Sequence, residues 1–521
     1  MKTNKIFIVG GGSAGWMTAA TLISQFPEKD ITLIESPRIG TIGVGESTIG
    51  QINKWMSLLN IKDEEFMPYT DASYKLSIRF EDFYQLGDGG FHYPFGQPYE
   101  KEYSKEVWTI SKLLNPEIPY DDYADCIYDQ MALVNNNTIT KNEDKMFPNY
   151  SFKNDTAYHF DATKFGLWLR DNFCIPRGVK HIQEDIDSVE SDGNGIVSLN
   201  GKHTADLYID CTGFKSLLIG ETLKVPFESY EEMLPNNKAW ATRVPYKDKE
   251  KQLEPYTNCT AIENGWVWNI PVWERIGTGY VYSDKYVSDE EALEEFKRHL
   301  TKKGHDYSNS EFKNIKMRVG IHKELFVKNV CAIGLSSGFI EPLESNGLFT
   351  THEFLCNLVR TLNRGDKTSV SQWDKDSFNS ACRTVFREFA EFVSMHYAMS
   401  HRDDTPYWRD VGNRKYSKEL INMIPSFVNG HITYAFNKFR DFKYNSIGGI
   451  HCIATGMRNL PIDQPGFIYE NLDNDVMAML KDKNQYSIDL MNKTKRKWDV
   501  LAKSCPTLYK FLKENIHKGS E

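Results

Sequence analysis

The strongest constraint on the fold lies at the N-terminus. A short apolar run, Ile6-Phe7-Ile8-Val9, meets a glycine cluster, Gly10-Gly11-Gly12-Ser13-Ala14-Gly15, and then a helical run from Trp16 to Ile23. A second apolar run, Ile31-Thr32-Leu33-Ile34, follows and ends in Glu35. Strand, tight turn, helix, strand and terminal acid in that order predict an α/β fold built on a Rossmann-like sheet that binds a dinucleotide. Gly10 permits the turn, Gly12 lets the backbone approach a pyrophosphate, and Gly15 allows close packing of helix on sheet. Ser13 and Ala14 of the turn are further cofactor-binding candidates, and the free amides and partial positive charge of the helix N-terminus face the phosphates. Glu35 stands about 20 residues past the glycines, where an acid binds a ribose hydroxyl.

That unit alone leaves FAD and NAD open. Two later stretches favour FAD. Ala205-Asp206-Leu207-Tyr208-Ile209-Asp210-Cys211-Thr212-Gly213 and Asn329-Val330-Cys331-Ala332-Ile333-Gly334-Leu335 both read as buried strands ending in small-residue turns. Far apart in sequence, they can return to the same parallel sheet and set Asp210, Gly213, Gly334 and Leu335 beside an extended cofactor. Each taken alone reads equally as an ordinary core strand. No second glycine-rich strand-turn-helix unit for NAD(P)H is present, which implies that a separate flavin reductase supplies reduced FAD.

The run Gly265-Trp266-Val267-Trp268-Asn269-Ile270-Pro271 is the most unusual one downstream. On a strand, Trp266 and Trp268 point to one face and form a continuous indole wall. Taken alone, such a pair is as readily a plug in a sheet core.

The glycine unit with Trp16 and Met17, the Trp-x-Trp-x-Ile-Pro run and Pro342-Leu343-Glu344-Ser345 together resemble the flavin-dependent tryptophan halogenase family. Further similar stretches follow in family order to about residue 410. They are Ile42-Gly43-Val44-Gly45-Glu46-Ser47-Thr48, Lys75 within Tyr74-Lys75-Leu76, Phe91-His92-Tyr93-Pro94-Phe95, Tyr158-His159-Phe160-Asp161 and His396-Tyr397.

The resemblance implies a chemistry and a set of roles. Reduced flavin activates oxygen, and the outcome depends on what reaches it. Trp266, Trp268 and Pro271 would shield the flavin from a large substrate and admit only a halide, giving hypohalous acid. If an organic molecule reaches the flavin instead, the enzyme is a monooxygenase, which is the alternative reading. Lys75 would hold and aim the hypohalous acid, either as an ammonium donor or as an amine that forms a haloamine; the commoner fate of a lysine is a strand edge. Glu344 would polarise the oxidant or take the ring proton, or serve the free amides of the helix that follows. Gly45 would lie by the flavin. Glu46 is given no catalytic role, and Arg79 and His92 are further pocket candidates.

Ser345-Asn346-Gly347 stands where the family has a Ser-Thr-Gly halide step. Asparagine there removes a hydroxyl, so bromide or iodide is expected to be favoured over chloride. Tyr444-Asn445-Ser446-Ile447-Gly448-Gly449-Ile450 lacks the aromatics and acids that clamp free tryptophan. The expected substrate is therefore a small electron-rich aromatic such as a phenol or indole, free or carrier-bound.

Composition agrees with a large enzyme. The 521 residues contain no linker, repeat or low-complexity tract, and the net charge of −9 disfavours a nucleic acid partner. Nine scattered cysteines without a CxxC or Cys/His cluster predict no metal and a reducing compartment. No apolar run is long enough to span a bilayer, so no membrane partner and a cytoplasmic location are expected. The oligomeric state, including a homo-oligomer, stays open. The expected layout is an FAD-binding region over 1–365, interwoven with an antiparallel β layer and a substrate-side insertion of little regular structure at about 65–160. A helical C-terminal region over 366–521 follows. Antiparallel strands are expected from Ala239 to Tyr282, hairpin turns near Asp192 and Asn200, and helices over 161–170, 289–300, 348–362 and 377–398.

Overall fold

The computed structural model describes residues 1–38, 40, 46–364, 367–418, 420, 447–460, 463 and 474–519. Gly45 and, of the stretch Tyr444 to Ile450, Tyr444, Asn445 and Ser446 therefore lie outside the described residues.

The N-terminal pattern folds as read. Lys5–Val9 is flanked by parallel strands Asp30–Glu35 and Leu207–Asp210. Val330–Ala332 joins beyond Leu207–Asp210, and Lys180–Gln183 beyond Asp30–Glu35, both parallel. The short Phe326–Val327 closes one edge in an antiparallel pair. Strands buried on both faces need uninterrupted apolar runs, and Ile6, Ile8, Leu33 and Ile209 are wholly inaccessible. The helix over Ser13–Gln25 is buried from Gly15 to Ile23. It packs against the helices Ala162–Trp168 and Phe349–Leu362, so it is covered on the side away from the sheet.

The second layer is a seven-stranded sheet in the order Lys313–Lys316, Lys238–Val244, Arg275–Tyr282, Gly265–Val272, Tyr256–Ile262, Ser77–Glu81 and Gly90–Pro94. All its pairings are antiparallel except that of Ser77–Glu81 with Tyr256–Ile262. The tryptophan strand thus sits in the middle of the sheet. A three-stranded sheet of Glu46–Ser47, Ala157–Phe160 and Ser73–Lys75 bridges the layers, and the chain passes from it into the large sheet through Leu76.

The stretch at about 65–160 departs from expectation. It contains the helices Lys105–Leu114, Asp122–Ile127 and Met131–Asn135 as well as the strands above. Its acidic, aromatic sequence is amphipathic rather than irregular. Tyr99, Tyr103, Trp108, Tyr123 and Tyr128 form a second apolar core with Met491 and Trp498 of the long helix Asn474–Lys503. Sequence-distant segments supply the apolar partner, so the helices have no long periodic run of their own. The helix Asp289–Lys302, with a Ser288/Glu291 capping box, also buries Ala292, Phe296 and Leu300 beneath its charged face. The hairpin between Val189–Asp192 and Gly195–Leu199, and the helices Phe349–Leu362 and Gln372–Ala398, form where the sequence places them.

Among the described residues no helix is long and apolar enough to cross a membrane. Also among them, no group of three or more His, Cys, Asp or Glu side chains is placed to hold a metal ion.

Candidate active site

The glycine turn is a cradle with one open position. A Cβ on Gly10, whose φ is +112°, would lie 2.3 Å from the Cys211 carbonyl oxygen, and one on Gly15 would lie 1.9 Å from that of Gly10. A Cβ on Gly12 meets nothing within 4 Å. The helix starting at Ser13 has no side-chain cap on Gly12 and no acid in its first turn. Its amides therefore lack an internal anion, the condition for binding a phosphate. The Glu35 carboxyl lies over Gly11, with Oε1 2.7 Å from His181 Nε2. Open space at the phosphate position, uncapped amides and an acid at the ribose position fit a dinucleotide. Gly334, with φ +76°, brings the far strand's turn so close that an added Cβ would lie 2.6 Å from the Ala14 Cβ. Leu335 follows it, half-buried. Gly213 turns at φ +67° with open space around it. Asp210 is engaged inward: its carboxylate accepts from the Thr212 amide and hydroxyl and from the Leu218 and Ile219 amides, at 2.7–3.0 Å. What it is seen to do is shape the turn that carries Gly213.

Lys75 ends the short strand Ser73–Lys75, paired with Ala157, and is completely buried. Ser73–Lys75 is an edge strand of its three-stranded sheet, as the alternative has it, but the lysine on it is not solvated. Its Nζ donates to Ser345 Oγ at 2.7 Å, Ser47 Oγ at 2.8 Å and the Thr48 carbonyl at 3.0 Å. The Phe95 ring centroid lies 5.1 Å away. Burial pulls the amine down to about 7, against the opposing pull of the nearby Cys259 and Glu344. Behind Ser47 runs a chain of buried polar groups. Ser47 Oγ is 2.6 Å from Thr257 Oγ1, which is 2.9 Å from His159 Nε2. Ser73 Oγ, 3.4 Å from His159 Nδ1, donates to the Pro271 carbonyl at 2.6 Å. The lysine is thus tied to the end of the tryptophan strand.

Glu344, in the short turn Pro342–Glu344, is 1 % exposed; Oε1 lies 3.0 Å from His396 Nε2, itself inaccessible. The contact is too poorly aligned for a hydrogen bond, and neither carboxylate oxygen has a hydrogen-bond partner. Ser345 has the left-handed φ of 58°, and its amide is used by the Pro342 carbonyl. Any amide donation to a halide at this step therefore falls to Asn346 and Gly347. Asn346 Nδ2 donates to the Ile340 carbonyl at 3.2 Å, leaving its Oδ1 buried without a partner. A Cβ on Gly347 would lie 2.9 Å from Glu46 Oε2. Burial, reinforced by Asp161, raises the Glu46 carboxyl to about 7.

Trp266 and Trp268 lie on one face of their strand with ring centroids 6.2 Å apart, both buried. Trp268 lies over Gly279 of the next strand, where a Cβ would be 2.3 Å from the indole. Trp266 Nε1 donates to Glu341 Oε1 at 3.2 Å. Arg79 and His92 are paired across strands but alternate with the buried Phe80 and Phe91. They therefore face away from the tryptophans, engaged with Glu81 and Ser77 respectively. Sequence reading gave no role to Ser47, His159, Thr257 or Glu341, although Ser47 and His159 lie in stretches that carry the resemblance. Glu341 left a signal of its own, an acid three residues before Glu344 in an otherwise apolar stretch.

A dinucleotide cradle on a parallel sheet, joined to a buried lysine and a walled second layer, defines an oxidoreductase that uses a nucleotide-type cofactor. Comparison with known proteins makes the class specific: the chain belongs to the tryptophan halogenase family, whose model matches residues 5–462, and it is a flavin-dependent halogenase. It is 36% identical over 452 residues to the 7-chloro-L-tryptophan 6-halogenase KtzR of Kutzneria sp. (strain 744), covering 80% of this chain and 83% of that one. It is 31% identical over 549 residues to the tryptophan 7-halogenase RebH of Lentzea aerocolonigenes, covering 98% and 99%. Among solved structures it superposes on VirX1 with a TM-score of 0.87 at 37% identity over 100% of both chains. On the tryptophan 6-halogenase SttH of Streptomyces toxytricini the TM-score is 0.79 at 31% identity, over 98% and 99%.

Proposed function

We propose that this halogenase takes reduced FAD from a separate reductase, forms hypohalous acid behind the tryptophan wall and delivers it to Lys75, which halogenates an electron-rich aromatic. The observation that carries this reading is the 2.7 Å hydrogen bond from Lys75 Nζ to Ser345 Oγ. It joins the candidate halogenating group to the first residue of the candidate halide step, which lies far away in sequence.

Bound reduced FAD would supply oxygen activation that oxidises halide to hypohalous acid. The cradle residues Gly10, Gly12, Ser13, Ala14, Gly15 and Glu35 would hold its pyrophosphate and ribose, with Gly213, Gly334 and Leu335 alongside. Trp266 and Trp268 exclude an organic substrate from that position while leaving passage for an ion. At Lys75 an ammonium hydrogen bond to the hypohalous oxygen, replacing one of the three that Nζ makes within the protein, makes the halogen more electrophilic. The ring carbon takes the halogen, the hydroxide leaves with the ring proton as water, and Glu344 carries that proton. With its Nζ titrating near 7, Lys75 also reaches the neutral amine that can form a haloamine.

A cavity of about 470 Å³, with Gln51, Asn53, Lys54, Tyr93, Phe95 and Asp155 among its lining residues, lies one ring from the amine, because Phe95 borders both. Its size suits a small ligand, and Lys54 and Asp155 place a cation and a carboxylate among the amides of its wall, which suits an aromatic bearing polar groups. Gly449, in the helix Ile447–Gly456, packs on Tyr93 so tightly that a Cβ would lie 2.2 Å from that ring. The C-terminal region therefore shapes the cavity wall. Asn346, which offers no hydroxyl at the halide step, supports bromide or iodide over chloride.

The test is incubation of the protein with FAD, a flavin reductase, NADH, oxygen and a phenol and indole panel in separate chloride, bromide and iodide buffers, read by mass spectrometry. A halogen mass shift that disappears in Lys75→Ala supports the reading. Halogenation that persists in Lys75→Ala removes the lysine from the mechanism.

A further inference from the structure

Glu341 is a wholly buried carboxyl that the halogenation steps above do not use. Its Oε1 collects three donors: the Tyr397 hydroxyl, Trp266 Nε1 at 3.2 Å and Asn236 Nδ2 at 3.5 Å. Asn236 also donates to the Tyr397 hydroxyl at 2.9 Å and accepts from the Tyr407 hydroxyl at 3.1 Å. Tyr397 ends the helix Gln372–Ala398 and Tyr407 lies in Pro406–Gly412. The network therefore links the tryptophan strand to two helices of the C-terminal half. Glu341 Oε2 has no partner, so a costly buried carboxyl is kept for the contacts of one oxygen. Trp268 is held by shape, against Gly279. Trp266 is held by this polar contact, and an indole turns about two torsions unless something fixes it.

We propose that Glu341 is a positioning residue that fixes the Trp266 indole in the wall, so that halide but not an organic molecule gains access to the activated oxygen. This rests on the wall reading given above. The role is separable from that of Glu344, although one turn of chain carries both: Glu344 faces the lysine side and Glu341 the indole.

The test compares Glu341→Ala, Glu341→Gln and Trp266→Ala in the full-length protein by two independent readouts. The first is the place of the Trp266 ring, seen in crystal structures or as its indole N–H resonance, assigned by its absence in Trp266→Phe. The second is halogenated product per NADH consumed, with oxygen transfer to methyl phenyl sulfide measured in halide-free buffer. In Glu341→Ala the ring is expected to move, coupling to fall about tenfold, the scale of losing a buried hydrogen bond, and halide-free sulfoxidation to appear. Glu341→Gln, which retains an acceptor oxygen, is expected to recover most of the coupling.

A ring that stays in place, or unchanged coupling in Glu341→Ala while Trp266→Ala loses it, overturns the role of Glu341 and leaves the wall standing. Unchanged coupling and halide dependence in Trp266→Ala overturn the wall itself, and the shielding role of Glu341 with it. If Glu341→Ala does not fold, Tyr397→Phe, which removes one donor from Oε1, is expected to move the same two readouts in the same direction.

Discussion

At the scale of single residues, burial sets the chemistry. Lys75 is the clearest case, because its amine titrates near 7 in the folded chain and near 10.5 when unfolded. Between these values the unfolded chain binds more protons, so this group makes folding more favourable as pH rises from 7 to 10.5, and its full cost is present below 7. The melting temperature of the wild type relative to Lys75→Met is therefore expected to rise across that window; parallel profiles would show an ordinary lysine. At the halide step, Asn346→Thr restores a hydroxyl and is expected to raise the chloride-to-bromide product ratio several-fold in mixed halide. No change in that ratio would remove the side chain from halide selection. Gly12→Ala separates fold from cofactor. The added methyl meets nothing in the protein, so thermal stability without FAD is expected to be unchanged, while FAD affinity measured by fluorescence quenching falls at least about tenfold, a loss of 1.4 kcal/mol.

At the scale of elements, the barrier proposed for the tryptophan strand depends on its place in the sheet. Gly265–Val272 has neighbours on both sides, so its indoles cannot swing with an edge. Gly279 on one neighbour gives Trp268 its room. Gly279→Val is expected to cost about 1–3 kcal/mol, the scale of overpacking a core, measured by urea denaturation. It is also expected to lower halogenated product per NADH by displacing Trp268. A stable variant with full coupling would show that the ring has another place to go. The alternating sequence made this strand visible, but not its neighbours, because register across strands depends on partners that a single segment does not contain.

At the scale of the whole molecule, the two largest of the apolar cores among the described residues share the work. The parallel sheet and the tryptophan layer enclose one, and residues 99–150 with the long C-terminal helix enclose the other. Trp498→Ala removes a buried ring that packs edge-on against Tyr99 at 5.2 Å and is expected to cost about 3–5 kcal/mol. Hydrogen exchange should report faster opening over 99–150 with protection of Lys5–Val9 retained; uniform loss of protection would mean a single cooperative core. The sequence by itself determined the dinucleotide unit, the strands Leu207–Asp210 and Val330–Ala332 as separate elements, and the tryptophan strand. Each is written in local periodicity, glycine spacing and turn chemistry, which act over a few residues. Only the tertiary structure decided that Lys75 is buried and bonded to Ser345, that Glu341 holds Trp266, and that the aromatic stretch near residue 120 is helical core. Those outcomes depend on contacts between segments hundreds of residues apart, where burial and a partner's donor or acceptor, neither encoded locally, fix a side chain's charge and direction.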